Sequence, residues 1–231
     1  MICGIVDLGS NTIRLSIYHW EGQDFRLLLN KKTMAGLAGY VQGGVLSDSG
    51  ILVACRTLSS YRALLDNFQV SKMHVFATAS LRNISNTGEA VETIRDVTGI
   101  PVEVLSGDAE AALSFKGAVL PGGVSTGLLA DIGGGSFELV SYEDMSITSA
   151  CSLPVGSLSL YTRFVNGLFP TSEERKAMRA YVEAVGPRQD RGRPPRPPVR
   201  RGGHHPGPQQ ALRGRIPQAA REPFHDGGRA A

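Results

Sequence analysis

The sequence is poor in the features that mark most specialised proteins. Cysteine occurs three times in 231 residues, at Cys3, Cys55 and Cys151. The set is odd and widely spaced, with no CxxC and no His/Cys metal spacing. That argues against a disulfide framework and predicts three small buried thiols in a reducing compartment. No apolar stretch is long enough to cross a bilayer. The chain opens on MICGIVDLG, without the basic region, long apolar run and cleavage site of a signal peptide. A cytoplasmic protein with no membrane partner is expected. The sequence also lacks GxxxxGK[ST], which removes the P-loop enzymes, and its GVSTG at 123–127 has the letters GxSxG but leads into an apolar strand, not into the strand-to-helix elbow of acyl hydrolases. Gly133, Gly134 and Gly135 stand together but without the spacing of a dinucleotide fingerprint.

What charge there is lies in the wrong place for a nucleic-acid reader. The formal net charge is +3, yet the segment from Gly186 onward holds ten Arg, no Lys and three acidic residues, a net +7, which leaves the first 185 residues at −4. No specific nucleic-acid partner is expected from that distribution. The same segment, 186–231, carries nine of the 13 prolines and a single aromatic, Phe224. It has too little apolar material to offset its ordering entropy and reads as disordered. Its composition suits a reading-frame change in a GC-rich coding sequence, a genuine disordered basic tail or a segment with a structured role. His204 and His205 find no partner ligands there for a metal.

The rest of the chain alternates like a folded α/β protein. Residues 2–6 form a short apolar run ending at Asp7, and the pattern resumes at Ile13, Leu15, Ile17 and Tyr18, as two strands around a tight turn would require. Residues 25–29 read as a third strand. Apolar positions at Ile51, Leu52, Leu58, Tyr61, Leu64 and Leu65 predict a helix over 46–68, capped near Ser47 or Asp48. Strand character at 72–77, helix at 87–97 stopped by Gly99, strand at 102–105 and helix at 109–119 complete the order βββαβαβα, a layered fold with a mixed sheet. Strands at 126–131, 137–142 and 146–153 and a helix at 173–185 follow. Domains are therefore expected at 1–124 and 125–185, with a tail at 186–231.

The second series restarts the first. IVDLGSN and LLADIGGGS share the form apolar strand, Asp, apolar residue, Gly, small, small, which reads as a repeated phosphate-binding unit. Glycine lets the backbone turn sharply, and successive N–H groups can cradle phosphate oxygens. Asp7 and Asp131 close equivalent strands, where they either cap turns or flank a cleft and hold Mg²⁺ through water. Ser10, Asn11, Thr12 and Arg14 supply phosphate donors after the first Asp, Arg14 in bidentate form; Arg14 could equally be a solvated residue on a sheet face. Gly133, Gly134, Gly135 and Ser136 form the second cradle. Glu138 shares the strand face of Ser136 and either joins the loop or makes a salt bridge. Glu110, in SGDAEAA, either faces solvent or takes a proton from an attacking water. Arg82, in ATASLRN, lies beyond a strand's C-terminal end, where α/β proteins commonly bind ligands, as a second phosphate clamp or an ordinary surface residue.

CGIVDLGSNTIRL, VFATASLRNISN, VEVLSGDAEAALSFKG and GLLADIGGGSFELV, in this order, resemble the Ppx/GppA family of exopolyphosphatases and guanosine pentaphosphate phosphohydrolases. The resemblance covers 2–185. It implies an actin-like (ribonuclease H-like) ATPase-domain fold, α/β, with a mixed sheet and helices. It further implies Glu110 as the base that activates water, and Asp7, Asp131 and Glu138 as the acidic positions linked to Mg²⁺ or another divalent cation. Ser10, Asn11, Thr12, Arg14, Arg82, Gly133, Gly134, Gly135 and Ser136 match phosphate-binding positions. Polyphosphate or guanosine pentaphosphate would be the partner. The family commonly has Ser where Thr12 stands and Thr where Phe137 stands. After three strands and two helices the second domain is expected to stop short of its full βββαβαβα unit. The sheet edge this leaves uncovered would favour association, a homodimer included. A catalytically silent phosphate or nucleotide binder is the alternative to an enzyme, whereas Glu110 and TASLRN argue against a sugar kinase of the same fold group.

Overall fold

The apolar alternation on either side of Asp7 gives an antiparallel hairpin, and the same alternation around Asp131 gives another. In the computed structural model, which describes residues 1–22 and 24–186, β1 (Ile2–Leu8) pairs with β2 (Thr12–Glu21), and β3 (Asp24–Met34) extends the meander. β6 (Met73–Ala77) runs parallel to β1 on its other side and β7 (Glu103–Val104) follows, so the mixed sheet has the order β3-β2-β1-β6-β7. The third strand runs five residues beyond the expected 25–29. Its second half, with Lys31 and Lys32 exposed on an edge strand, carries no apolar period to reveal it. Between β3 and the first long helix lies a short hairpin, β4 (Val41–Gln42) and β5 (Val45–Leu46), in what reads as a Gly-rich connection.

Helix α1 (Asp48–Asn67) begins where the sequence places its cap, with Ser47 Oγ accepting from the Gly50 amide. It buries Ile51, Ala54, Cys55, Leu58, Tyr61 and Leu65 against the sheet. Contact is close enough that a Cβ at Gly4 of β1 would meet both Leu65 methyls within 2.9 Å. Tyr61 is fully buried, and its hydroxyl donates to Ile13 O at 2.8 Å, which ties α1 to β2 just behind the first glycine loop. α2 (Ala79–Arg82) is a single turn that periodicity cannot detect, and α3 (Thr87–Thr98) ends at Gly99, whose φ of 68° is the left-handed conformation glycine favours.

The next helix changes partners. α4 (Gly107–Ala118) buries Ala111 and Phe115 against Val140 and Tyr142 of a second sheet, separately from the core that α1 and α3 share with the first. The two buried clusters therefore part before α4, whose apolar side packs on the second sheet. That sheet consists of β8 (Gly127–Ile132), β9 (Phe137–Glu143) and β10 (Ser146–Leu153) in the order β10-β9-β8. β8 matches β1, but among the described residues nothing corresponds to β6 on its outer edge, and Leu128 and Ile132 are 54% and 67% exposed. α5 (Ser157–Phe164) and α6 (Ser172–Val185) follow, the latter opened by a reciprocal Thr171/Glu174 capping box. No helix among the described residues is long and apolar enough to cross a membrane. The three cysteines are free, but Cys151 is only half-buried, since it lies on the sheet face opposite α4. The tail reading, with His204, His205 and Phe224, falls outside the described residues.

Candidate functional site

The two hairpin loops are built alike. In the first, the Gly9 amide donates to Thr12 O at 3.2 Å; in the second, the Gly133 amide donates to Ser136 O at 2.9 Å. The loop carbonyls are then taken up by the segment following each meander. Ser10 O accepts from Ala38 N, and Asn11 O from Ala35 N and Gly36 N. Gly133 O accepts from Ser157 N, and Gly134 O from Leu158 N and Ser159 N at the start of α5. Among the described residues the amides of Ser10, Asn11, Gly134 and Gly135 have no protein acceptor. A short turn with spent carbonyls and free N–H groups is an anion cradle, and here two of them meet.

They meet because side chains are missing at the contact. A Cβ at Gly135 would stand 2.5 Å from Ser10 Oγ and 3.2 Å from Ala79 Cβ. One at Gly156 would stand 2.4 to 2.6 Å from the Gly134 and Gly135 backbone. Both loops line one cavity of about 510 Å³, together with Asp7, Arg14, Glu110, Asp131 and Glu138. The structure thus gathers every expected site residue there except Arg82, which lines a neighbouring cavity and pairs with Glu110 and Glu138.

The carboxylates have different surroundings. Asp7 pairs in register with Arg14 across the first hairpin. Burial pushes its carboxyl above the usual range, with Arg14 opposing the shift and the charge of Asp131 adding to it. In the second hairpin the matching pair is Asp131 and Glu138. Asp131 accepts a 2.6 Å hydrogen bond from Ser114 of α4. Glu138 is only 1% exposed, and burial raises its carboxyl while hydrogen bonds from Ser152 and Ser136 hold it down and the charges of Glu110 and Asp131 raise it further. Glu110 stands in the first turn of α4, one oxygen held 2.7 Å from Arg82.

The expected metal trio is not drawn together. Asp7, Asp131 and Glu138 all line the cavity, but among the described residues no three His, Cys, Asp or Glu side chains form a cluster fit to cage an ion, and Glu138 is bonded to Ser152 and paired with Arg82. Asp7 and Asp131 both face the cavity. One or two carboxylates on an open cleft suit Mg²⁺, which keeps much of its water and takes its other ligands from phosphate.

Sequence reading missed four positions. Gly156 supports the second loop, Gly107 lets the start of α4 approach Ser152, Ser152 bridges Arg82 and Glu138, and Ser114 holds Asp131. Glycines at close approaches leave a signal only in a spatial neighbour, and serines in ordinary helix and strand positions leave none.

A β-meander with a glycine loop, repeated so that two loops face one cleft, is the actin-like ATPase fold. The PilM–PilN type IV pilus biogenesis complex shares it at a TM-score of 0.50 and 12% identity, with 79% of this chain and 72% of that chain covered. The model of the Ppx/GppA phosphatase family matches residues 16–191, and the chain belongs to that family. It is similar to an exopolyphosphatase from Cytophaga hutchinsonii (29% identity, TM-score 0.73, 80% of this chain and 60% of that chain covered). It is likewise similar to the type II variant of the Aquifex aeolicus Ppx/GppA phosphatase (27% identity, TM-score 0.59, 80% and 62% covered). The chain spans about 60% of the length of these relatives.

Proposed function

We propose that the chain is a phosphohydrolase of exopolyphosphatase type, releasing the terminal phosphate of inorganic polyphosphate by attack of water. The observation that carries this reading is the convergence of two amide cradles and the Glu110 carboxylate on one cavity. The amides of Ser10, Asn11, Gly134 and Gly135, with Arg14, would bind adjacent phosphoryl groups and stabilise charge on their oxygens. Glu110 would take a proton from water as the water oxygen bonds to the terminal phosphorus and the bridging P–O bond breaks, its electron pair leaving with the shortened chain. Asp7 and Asp131 are the residues that would hold Mg²⁺, whose chemistry there is to neutralise phosphate charge. The exopolyphosphatase name of the Cytophaga hutchinsonii relative favours the same substrate.

The test is phosphate release from polyphosphate by the full chain, with and without Mg²⁺, for the wild type and Glu110→Gln. Metal-dependent release abolished by the substitution is expected, a loss of about 100-fold or more, with polyphosphate binding retained. Release from guanosine pentaphosphate alone would move the substrate to the nucleotide. Binding of polyphosphate without any release would make the chain a silent binder. Activity that survives Glu110→Gln would remove Glu110 as the base.

A further inference from the structure

Two residues that the family resemblance assigns to separate tasks, Arg82 to phosphate and Glu110 to water, are bonded to each other. Arg82 Nη1 donates to Glu110 Oε2 at 2.7 Å and to Leu105 O at 3.1 Å. Its Nη2 donates to Ser152 Oγ at 3.3 Å and lies 3.8 Å from Glu138 Oε1. Ser152 in turn donates to Glu138 Oε1 at 2.8 Å. The guanidinium is therefore engaged by two carboxylates, a hydroxyl and a backbone carbonyl, and it does not line the cavity that the two glycine loops share.

We infer that Arg82 is a positioning residue for Glu110 and not a phosphate ligand, and that Ser152 is the anchor that aims it. A glutamate in the first turn of a helix has three side-chain torsions to settle, and only some settings present an oxygen to a water above the glycine loops. Arg82 removes that freedom on one side only. It binds Oε2 and leaves Oε1 with no acceptor role among the described residues, so one carboxylate oxygen stays available for the proton. The clamp is itself fixed at its far end. Its planar fork is held by Leu105 O and Ser152, and Gly107, three residues before Glu110, brings α4 so close to β10 that a Cβ there would stand 2.4 Å from Ser152 Cβ. Arg82, Glu110 and Ser152 come from α2, α4 and β10. The base is thus aimed only when the first unit, the bridging helix and the second sheet are all seated.

This deepens the proposed function and rests on it, so the test has one arm that needs no turnover. In the full chain, Arg82→Met is expected to lower kcat about 100-fold while KM and the Kd for polyphosphate stay within about twofold. Arg82→Lys, which keeps the charge but loses the fork, recovers part of kcat, and it serves if the Met variant does not fold. Ser152→Ala lowers kcat several-fold with the same unchanged Kd. Separately, a double-mutant cycle of Arg82→Met and Glu110→Gln in urea unfolding is expected to be clearly non-additive. Weakening of polyphosphate binding by tenfold or more in Arg82→Met, or an additive cycle, overturns the inference. If the wild type neither binds nor hydrolyses polyphosphate, the functional reading falls and the cycle alone decides the clamp.

Discussion

Gly156 lies with its Cα against the peptide between Gly134 and Gly135: a Cβ there would approach the Gly134 carbonyl carbon to 2.4 Å and the Gly135 nitrogen to 2.6 Å. The atoms in the way are backbone, so no rotamer can relieve the clash. Gly156→Ala is expected to destabilise the fold by ~3 kcal/mol, a fall in Tm of about 6–12 °C, and to abolish phosphate binding by moving the second loop. Gly134→Ala, whose Cβ meets nothing nearer than 3.7 Å, should leave Tm within about 2 °C. Thermal unfolding of the pair separates the two cases, and equal Tm values would refute the close-contact account.

Arg14 faces the cavity from β2 beside Asp7. Its replacement by Ala removes a charge-assisted contact of about 1.5–3 kcal/mol, so the Kd for polyphosphate should rise roughly 10- to 100-fold, with little change in Tm. Calorimetric titration measures this, and an unchanged Kd would return Arg14 to the solvated sheet face.

Glu138 gives a pH dependence of stability with a definite sign. Burial raises its carboxyl in the folded state, so the folded protein holds this proton to a higher pH than the unfolded chain does. The stability it contributes is full below the unfolded value, near pH 4, and is lost as pH rises through the folded value. Glu138→Gln removes the titration. The stability of the Gln variant relative to wild type should therefore increase from pH 4 upward, as read by urea unfolding across that range. A difference that is flat or falls with pH would show that the carboxyl is not raised.

Asp131 and Ser114 test the metal assignment. Asp131→Asn is expected to raise the Mg²⁺ concentration for half-maximal phosphate release at least tenfold. Ser114→Ala frees the oxygen that accepts at 2.6 Å and should shift that concentration by only a few-fold. Mg²⁺ titration of the activity compares them, and an unaltered requirement in Asp131→Asn would take the ion elsewhere.

Much of this site was legible because its signals are local. Asp7 and Asp131 end strands whose alternation is plain, the glycines mark turns, and Ser136 and Glu138 share a face by period-two counting, as their burial bears out. What escaped was decided by neighbours far apart in sequence. Ser152 reads as one more strand serine until β10 brings it to Arg82 and Glu138. The end of β3 was hidden because an edge strand with lysines carries no alternation. The partner of α4 was hidden too, because Ala111 and Phe115 mark an apolar face but do not say which sheet covers it.

The repeat matches the two hairpins position by position, yet the residue opposite the aspartate is Arg14 in one and Glu138 in the other. A P–O–P linkage reads the same from either side of its bridging oxygen, so two equal half-sites would grip it without preference. Here one wall sets a cation beside its aspartate and the other sets a second carboxylate there, with Glu110 lining the same cavity. Under the proposed reading, a substrate with no head or tail of its own acquires one on entry. Which phosphorus meets the base, and from which end a polymer is shortened, then becomes a property of a single inherited difference between two otherwise equivalent turns.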